Sequence, residues 1–281
     1  MQYRFLRFPE GKSKAFTMSY DDGCRDDIKL AEIISRYNLK CTFNHTCAEH
    51  LTDEEIKKCI FENGHEIAVH GALHKAEGSV RPIDGIRDIL ECRLRLEKRH
   101  GRIIRGMAYP DSGITRFSNG AQYDNIKGYL SDLDIVYSRT LGGDNDSFLL
   151  PSDWYAWMPT AHHKNPSLME YINEFLNIDT EDVYCANRYP RLFYLWGHSY
   201  EFARDDNWDL LEEICRRISE HDSIWYATNI EIYNYVKAYD SLVFSADGTM
   251  VYNPTLYKLW FRTDSRLYSV NSGETLCLNE E

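Results

Sequence analysis

The stretch Phe16–Cys24, FTMSYDDGC, sets two adjacent carboxylates, Asp21 and Asp22, and a glycine directly behind an apolar, β-rich run. Neighbouring acids repel, so such a pair is either a solvated turn or the counterpart of a nearby cation. The run itself, Lys14–Ser19, reads as a buried strand that ends where the acids begin.

Moving outward from it, short β-rich runs alternate with helical patterns. The expected strands are Lys14–Ser19, Lys40–Asn44, Glu66–His70, Gly106–Tyr109, Ile135–Arg139, Tyr155–Thr160, Leu192–Trp196 and Ile224–Thr228. Helical periodicity fills the gaps at 26–37, 53–63, 82–99, 119–130, 167–176, 207–219 and 229–239. Thr52 before Asp53-Glu54-Glu55 predicts a capping box, and Arg81-Pro82 places proline at a first helical position. Seven or eight β-α units predict an α/β chain folded as a distorted (β/α)7-8 barrel over residues 1–238. The runner-up, an open doubly wound sheet, lacks a glycine-rich phosphate fingerprint. From residue 239 the texture changes to β-rich runs around an Asp247-Gly248 turn, predicting a small C-terminal β appendage over 239–281.

Composition narrows the function. A net charge of −12 over 281 residues argues against nucleic acid or an anionic membrane as partner. No apolar run approaches the roughly 18 residues of a spanning helix, and MQYRFLRFPEGKSKAF does not read as a secretory signal, so a cytoplasmic location is expected. Eight scattered cysteines without a Cys-x-x-Cys pair read as reduced thiols.

Barrels of this type carry their chemistry at the C-terminal ends of the strands. Asp21 and Asp22 follow the first expected strand, His70 ends the third with His74 four residues on, Tyr109 ends the fourth, and His198 follows the seventh. Acids, imidazoles and a tyrosine from four separate stretches thus converge on one rim. Two imidazoles and a carboxylate form a set that can hold a divalent ion with positions left open. Alone, His-x-x-x-His or Asp-Asp-Gly is weak and more often a surface pair or a turn; together they are informative.

The combination resembles the polysaccharide deacetylases of carbohydrate esterase family four. Ser19-Tyr20-Asp21-Asp22-Gly23 resembles that family's Thr-Phe-Asp-Asp-Gly motif, and His70-Gly71-Ala72-Leu73-His74 its His-(Ser/Thr)-x-x-His motif. Leu195-Trp196-Gly197-His198 resembles its Leu-x-His motif with one extra residue. The resemblance implies a catalytic base at Asp21, a catalytic acid at His198, and one divalent ion, zinc or else cobalt, nickel or manganese, held by Asp22, His70 and His74. It implies hydrolysis of an N-acetyl group, with a backbone N–H near Tyr109 helping to stabilise the oxyanion. The substrate expected is an N-acetylated amino sugar, oligosaccharide or glycoconjugate.

Three departures stand out. Gly71 replaces a Ser/Thr hydroxyl, Asp111 stands where an aromatic is usual, and Arg105 is out of register with the arginine that orients the base in the family. Tyr109, Pro110, Asp111, Trp157, His162, His163, Tyr200 and Glu201 are the candidate substrate contacts. With 14% aromatic residues, most rings must nonetheless be core. Alternatives are a hydrolase of a non-sugar linear or cyclic amide, and a catalytically silent glycan-binding protein, which would have no need of Asp21 and His198. A non-haem iron oxygenase uses a similar ligand set but ordinarily an all-β fold.

Overall fold

A computed structural model describes residues 3–141, 143–181, 184, 187–264 and 266–278. Its centre is the strand read first. Strand β2 (Lys14–Asp22) is buried along its length up to Asp21, as expected of a parallel strand covered on both faces. Strands β3 (Thr42–His45), β4 (Glu66–Val69), β5 (Gly106–Ala108) and β6 (Tyr137–Arg139) extend the sheet on one side, and β8 (Arg191–Gly197) then β7 (Ala161–His162) on the other. The order β6-β5-β4-β3-β2-β8-β7 is parallel throughout, and β9 (Ile224–Tyr226) pairs with the start of β2.

The sheet curls until its ends meet. Trp157, just before β7, bridges to Arg139 on β6, with its N–H on the Ser138 carbonyl at 3.0 Å. The expected distorted barrel is therefore the observed fold. Helices α1 (Asp27–Arg36), α3 (Pro82–His100), α4 (Tyr123–Asp132), α5 (Leu168–Asn177), α7 (Trp208–Ile218) and α8 (Asn229–Asp240) follow the strands; α2 (Asp53–Glu55) continues as a π-helix over Ile56–Phe61. The Thr52–Glu55 capping box forms, and Pro82 begins α3.

Two expectations are corrected. Tyr155–Thr160 is not a strand: Asp153 caps a 3₁₀ turn over Trp154–Ala156, Pro159 follows, Trp157 makes only an isolated bridge, and the strand itself is Ala161–His162. A proline without an N–H weakens any ladder through that stretch. A short helix, α6 (Ser199–Arg204), follows β8 where none was expected.

Beyond α8, β10 (Val243–Phe244), β11 (Met250–Tyr252) and β14 (Thr275–Cys277) form one antiparallel sheet, and β12 (Leu259–Arg262) and β13 (Leu267–Val270) belong to another. Strand β1 (Phe5–Arg7) pairs with β12, so the N-terminus shares a sheet with the C-terminal β segment. Seven cysteines carry free thiols; Cys185 lies outside the described residues. No helix among the described residues is long and apolar enough to cross a membrane.

The N-terminal mouth of the barrel is closed by the start of α8 and a buried acid. Glu66 Oε2 accepts from the Ile230 N–H at 3.0 Å and from Thr42 Oγ1 at 2.7 Å, and Oε1 accepts from Tyr137 at 2.7 Å. Burial outweighs these bonds and pushes the carboxyl from 4.5 up to about 7. A raised folded pKa means that the group's contribution to stability is complete below about 4.5 and is lost as pH rises through 7. Glu66→Gln should therefore gain on the wild type by about 3 kcal/mol between pH 4.5 and pH 8, read from urea midpoints. A difference that does not vary with pH would show that Glu66 is not buried against its charge.

Candidate active site

The C-terminal rim gathers its polar side chains from β2, β4, β6, β7 and β8. Asp21 has no solvent contact. Its Oδ1 accepts from Asn44 Nδ2 at 2.8 Å, the residue beside it on β3, and its Oδ2 accepts from the Arg139 guanidinium. Burial alone would raise the Asp21 carboxyl, but Arg139, His70, His198 and Asn44 outweigh it and hold the group below the ordinary carboxylate range. Arg139 is itself fully buried, with its guanidinium carbon 4.2 Å from the Trp196 ring centroid.

Asp22 breaks the strand with a φ of +80°, a conformation costly for a residue with a Cβ and found where a site demands it. Its Oδ1 lies 3.6 Å from His70 Nε2 and 3.3 Å from His74 Nε2. The three donor atoms fall within 4.8 Å of one another.

The tautomer of His70 decides what this group is suited to. Its Nδ1 is 2.9 Å from the Ala108 carbonyl, which can only accept, so Nδ1 carries the proton. Burial pushes the ring toward its neutral form, against the pull of Asp21. A neutral His70 thus turns the Nε2 lone pair toward Asp22 and toward Asp21 Oδ2, 3.9 Å away. A lone pair facing two carboxylates is repulsive unless a cation stands among them, so the donor set fits a divalent metal ion. The Asp22 hydrogen bond raises the pKa of His74, which is half exposed at the edge of the group.

A second group, His162, His163 and Glu201, is equally compact. Its hydrogen bonding is the reverse. The Lys164 N–H donates to His162 Nδ1 at 3.1 Å, so a neutral His162 carries its proton on Nε2, 3.0 Å from Glu201 Oε2. A protonated nitrogen has no lone pair for a metal. The same Oε2 lies 3.3 Å from both the N–H and Nδ1 of His198. Glu201 is therefore a carboxylate hub that orients His162 and His198. His163 stacks between Tyr20 and Phe202, and burial pushes it down to about 2, keeping it neutral. Its ring explains why residue 197 is a glycine: a Cβ there would stand 2.0 Å from His163 Nδ1.

The remaining expected contacts separate by burial. Tyr109 and Trp157 have no exposed surface: Tyr109 donates its hydroxyl to the Tyr155 carbonyl, and Trp157 packs among Tyr137, Trp154 and Tyr194. Neither offers a face to a sugar. The Tyr109 N–H is bonded to the Arg139 carbonyl at 3.0 Å and Pro110 has none, so the next backbone donor along the chain is Asp111. Asp111 is exposed, with Oδ1 3.8 Å from His74 Nδ1, and Tyr200 lies beside His198 with ring centroids 5.3 Å apart. Arg105 is at the surface, paired with Asp134. The arginine that stands against Asp21 is instead Arg139 from β6, which sequence reasoning passed over although it ends an expected strand on the same rim.

Residues 9–126 match the family model for polysaccharide deacetylase. No curated protein matches the chain. Among solved structures, the chain is similar to a Mycobacterium smegmatis protein named as a polysaccharide deacetylase, with 18% identity over 85% of this chain and 96% of that one, at a TM-score of 0.58. It is similar to a Pseudomonas aeruginosa protein so named, with 14% identity over 79% and 89% of the two chains and a TM-score of 0.57. Similarity extends to the Puue allantoinase, at 12% identity over 81% and 91% and a TM-score of 0.56. At these identities the likeness is one of fold. The family match covers the strands and loops that carry Asp21, Asp22, His70 and His74.

Proposed function

We propose that the chain is a metal-dependent hydrolase that removes N-acetyl groups from an N-acetylated amino sugar, oligosaccharide or glycoconjugate. Asp22, His70 and His74 hold one divalent ion, zinc in the first instance; Asp21 is the base and His198 the acid. The observation that carries this is the His70 tautomer, with Nδ1 bound to a carbonyl and Nε2 turned toward two carboxylates.

An acetamide is a poor electrophile with a poor leaving group, so its hydrolysis needs a strengthened electrophile, a deprotonated nucleophile and a proton for the nitrogen. When bound, the divalent ion supplies a Lewis acid that polarises the acyl carbonyl and acidifies water. Asp21 takes the proton of the attacking water, and its pairing with Arg139 keeps it ionised to do so. Held this low, its carboxylate is a weak base suited to water that is already acidic. His198 is oriented by Glu201 through Nδ1, which leaves Nε2 as the atom that hands a proton to the departing amine. Asp111, Tyr200 and His162 border the group and are proposed to meet the rest of the substrate.

A second reading, hydrolysis of a small linear or cyclic amide, is favoured by the burial of Tyr109 and Trp157, which removes two of the expected stacking surfaces. Acetate or amine release across a panel of N-acetylated sugars, short oligomers and small amides separates the two.

Asp21→Asn should retain the metal yet lose turnover by several orders of magnitude, whereas His70→Ala should lose the metal; metal content and acetate release read both. Undiminished activity in Asp21→Asn removes its assignment as base. Arg139→Gln takes away a group that lowers the Asp21 pKa, so the acidic limb of kcat/KM against pH should move to higher pH. It should also cost about 3–5 kcal/mol in stability, because it leaves a buried charge unpaired. An acidic limb that stays in place would show that another group sets it.

A further inference from the structure

The loop between the two ligand histidines has little of its own to hold it. The last sheet bond on this path is the His70 N–H to the His45 carbonyl, at 2.9 Å. Gly71 and His74 both lie in the left-handed region, at φ +73° and +53°. Leu73 is 70% exposed and anchors nothing, which leaves the small Ala72 as the turn's apolar contact with the core. The Ser/Thr hydroxyl of the related motif is absent at Gly71.

What grips the loop comes from α3. Asp88 Oδ1 accepts from the Leu73 N–H at 2.7 Å, and the Asp88 backbone carbonyl accepts from the Ala72 N–H at 3.3 Å. Asp88 is 6% exposed, and among the described residues no Lys or Arg pairs with it. Its Oδ2 is buried and lacks a hydrogen-bond partner. That same oxygen lies 2.5 Å from where a Cβ on Gly71 would stand, so residue 71 gives up a side chain to let the carboxylate in. A buried carboxylate without a cation is costly, and an apolar residue here would serve stability better. Its position is explained by the loop it holds.

We propose that Asp88 is a positioning residue for the metal group: from α3 it fixes the backbone of Ala72 and Leu73, and thereby the direction in which His70 and His74 face Asp22. It holds the loop where Gly71 has no hydroxyl to do so, and the missing side chain at Gly71 and the Asp88 carboxylate that occupies its place are a matched pair. This rests on the reading of Asp22, His70 and His74 as a metal group. Residues of this kind typically change metal affinity by about 10–100-fold when removed.

The test is competition for Zn²⁺ against a chromophoric chelator with the wild type, Asp88→Ala and Asp88→Asn, together with the Tm of each metal-free protein. Asp88→Ala should weaken Zn²⁺ binding by about 10–100-fold. Asp88→Asn, which keeps an oxygen for the Leu73 N–H, should stay much closer to the wild type. The metal-free Tm of both variants should equal or exceed that of the wild type, since a buried unpaired charge has been removed. Asp88→Ala binding Zn²⁺ as tightly as the wild type would overturn the inference, as would Asp88→Asn failing as badly as Asp88→Ala. A fall in the metal-free Tm of Asp88→Ala would overturn it too, by making the role one of stability. Failure of the wild type to bind Zn²⁺ or another divalent ion would instead remove the metal reading, and the inference with it.

Discussion

Asp21 is an ionised carboxylate without solvent contact, and Arg139 is an equally buried guanidinium that keeps it so. Taking either charge out of water alone would cost several kcal/mol, which only a partner in direct contact can offset. The pair also fixes geometry. Asp21 stands at the end of β2 and Arg139 at the end of β6, with β3, β4 and β5 between them along the sheet. Their contact spans the barrel interior, so it forms only if the sheet curls far enough to bring β6 back toward β2. The Arg139–Trp157 bridge and the stacking of the guanidinium on Trp196 of β8 draw the two edges of the sheet together around that cation.

The sheet's register carries the same constraint to the neighbouring groups. Asp21 lies opposite Asn44 and Asp22 opposite His45, and the His70 N–H follows on the His45 carbonyl. Once β2 is placed, the rim positions of β3 and β4 are placed with it, and the His70 Nδ1 meets Ala108 at the end of β5. On the other side, β8 runs beside β2 as far as Gly197, delivering His198 to the same rim. Ser199, next along, donates to the buried Asp27 at the start of α1 at 2.5 Å, which ties the loop of the proposed acid to the element that follows the proposed base.

Much of this was legible in the residues, and the reason is periodicity. Long apolar runs such as Lys14–Ser19 and Leu192–Trp196 announce buried parallel strands, and the strand ends then list the rim. Asp21, Asp22, His70, His74 and His198 follow from that. Arg139 was missed because a cation at the end of an expected strand looks like any surface arginine. Its partner is 118 residues away, and only curling of the sheet makes the two neighbours. β7 was misplaced because a two-residue strand carries no pattern, and the aromatic run before it imitates one. Tyr109 and Trp157 were over-read for the same reason: composition says a ring is present, while burial decides whether it faces a ligand or the core.

The two histidine-carboxylate clusters show why residue type alone does not define a site. Each offers two imidazoles and an acid in a similarly compact arrangement. They differ in what touches the far nitrogen of one ring. A carbonyl against His70 Nδ1 requires a proton there and frees Nε2 to donate an electron pair; an amide N–H against His162 Nδ1 takes that electron pair and leaves the proton on Nε2. The first arrangement suits a cation and the second suits proton transfer or orientation. A strand end supplies the carbonyl at His70, while a turn supplies the amide at His162. The contrast between His70 and His162 is thus set by main-chain groups, at positions where the side-chain sequence looks the same.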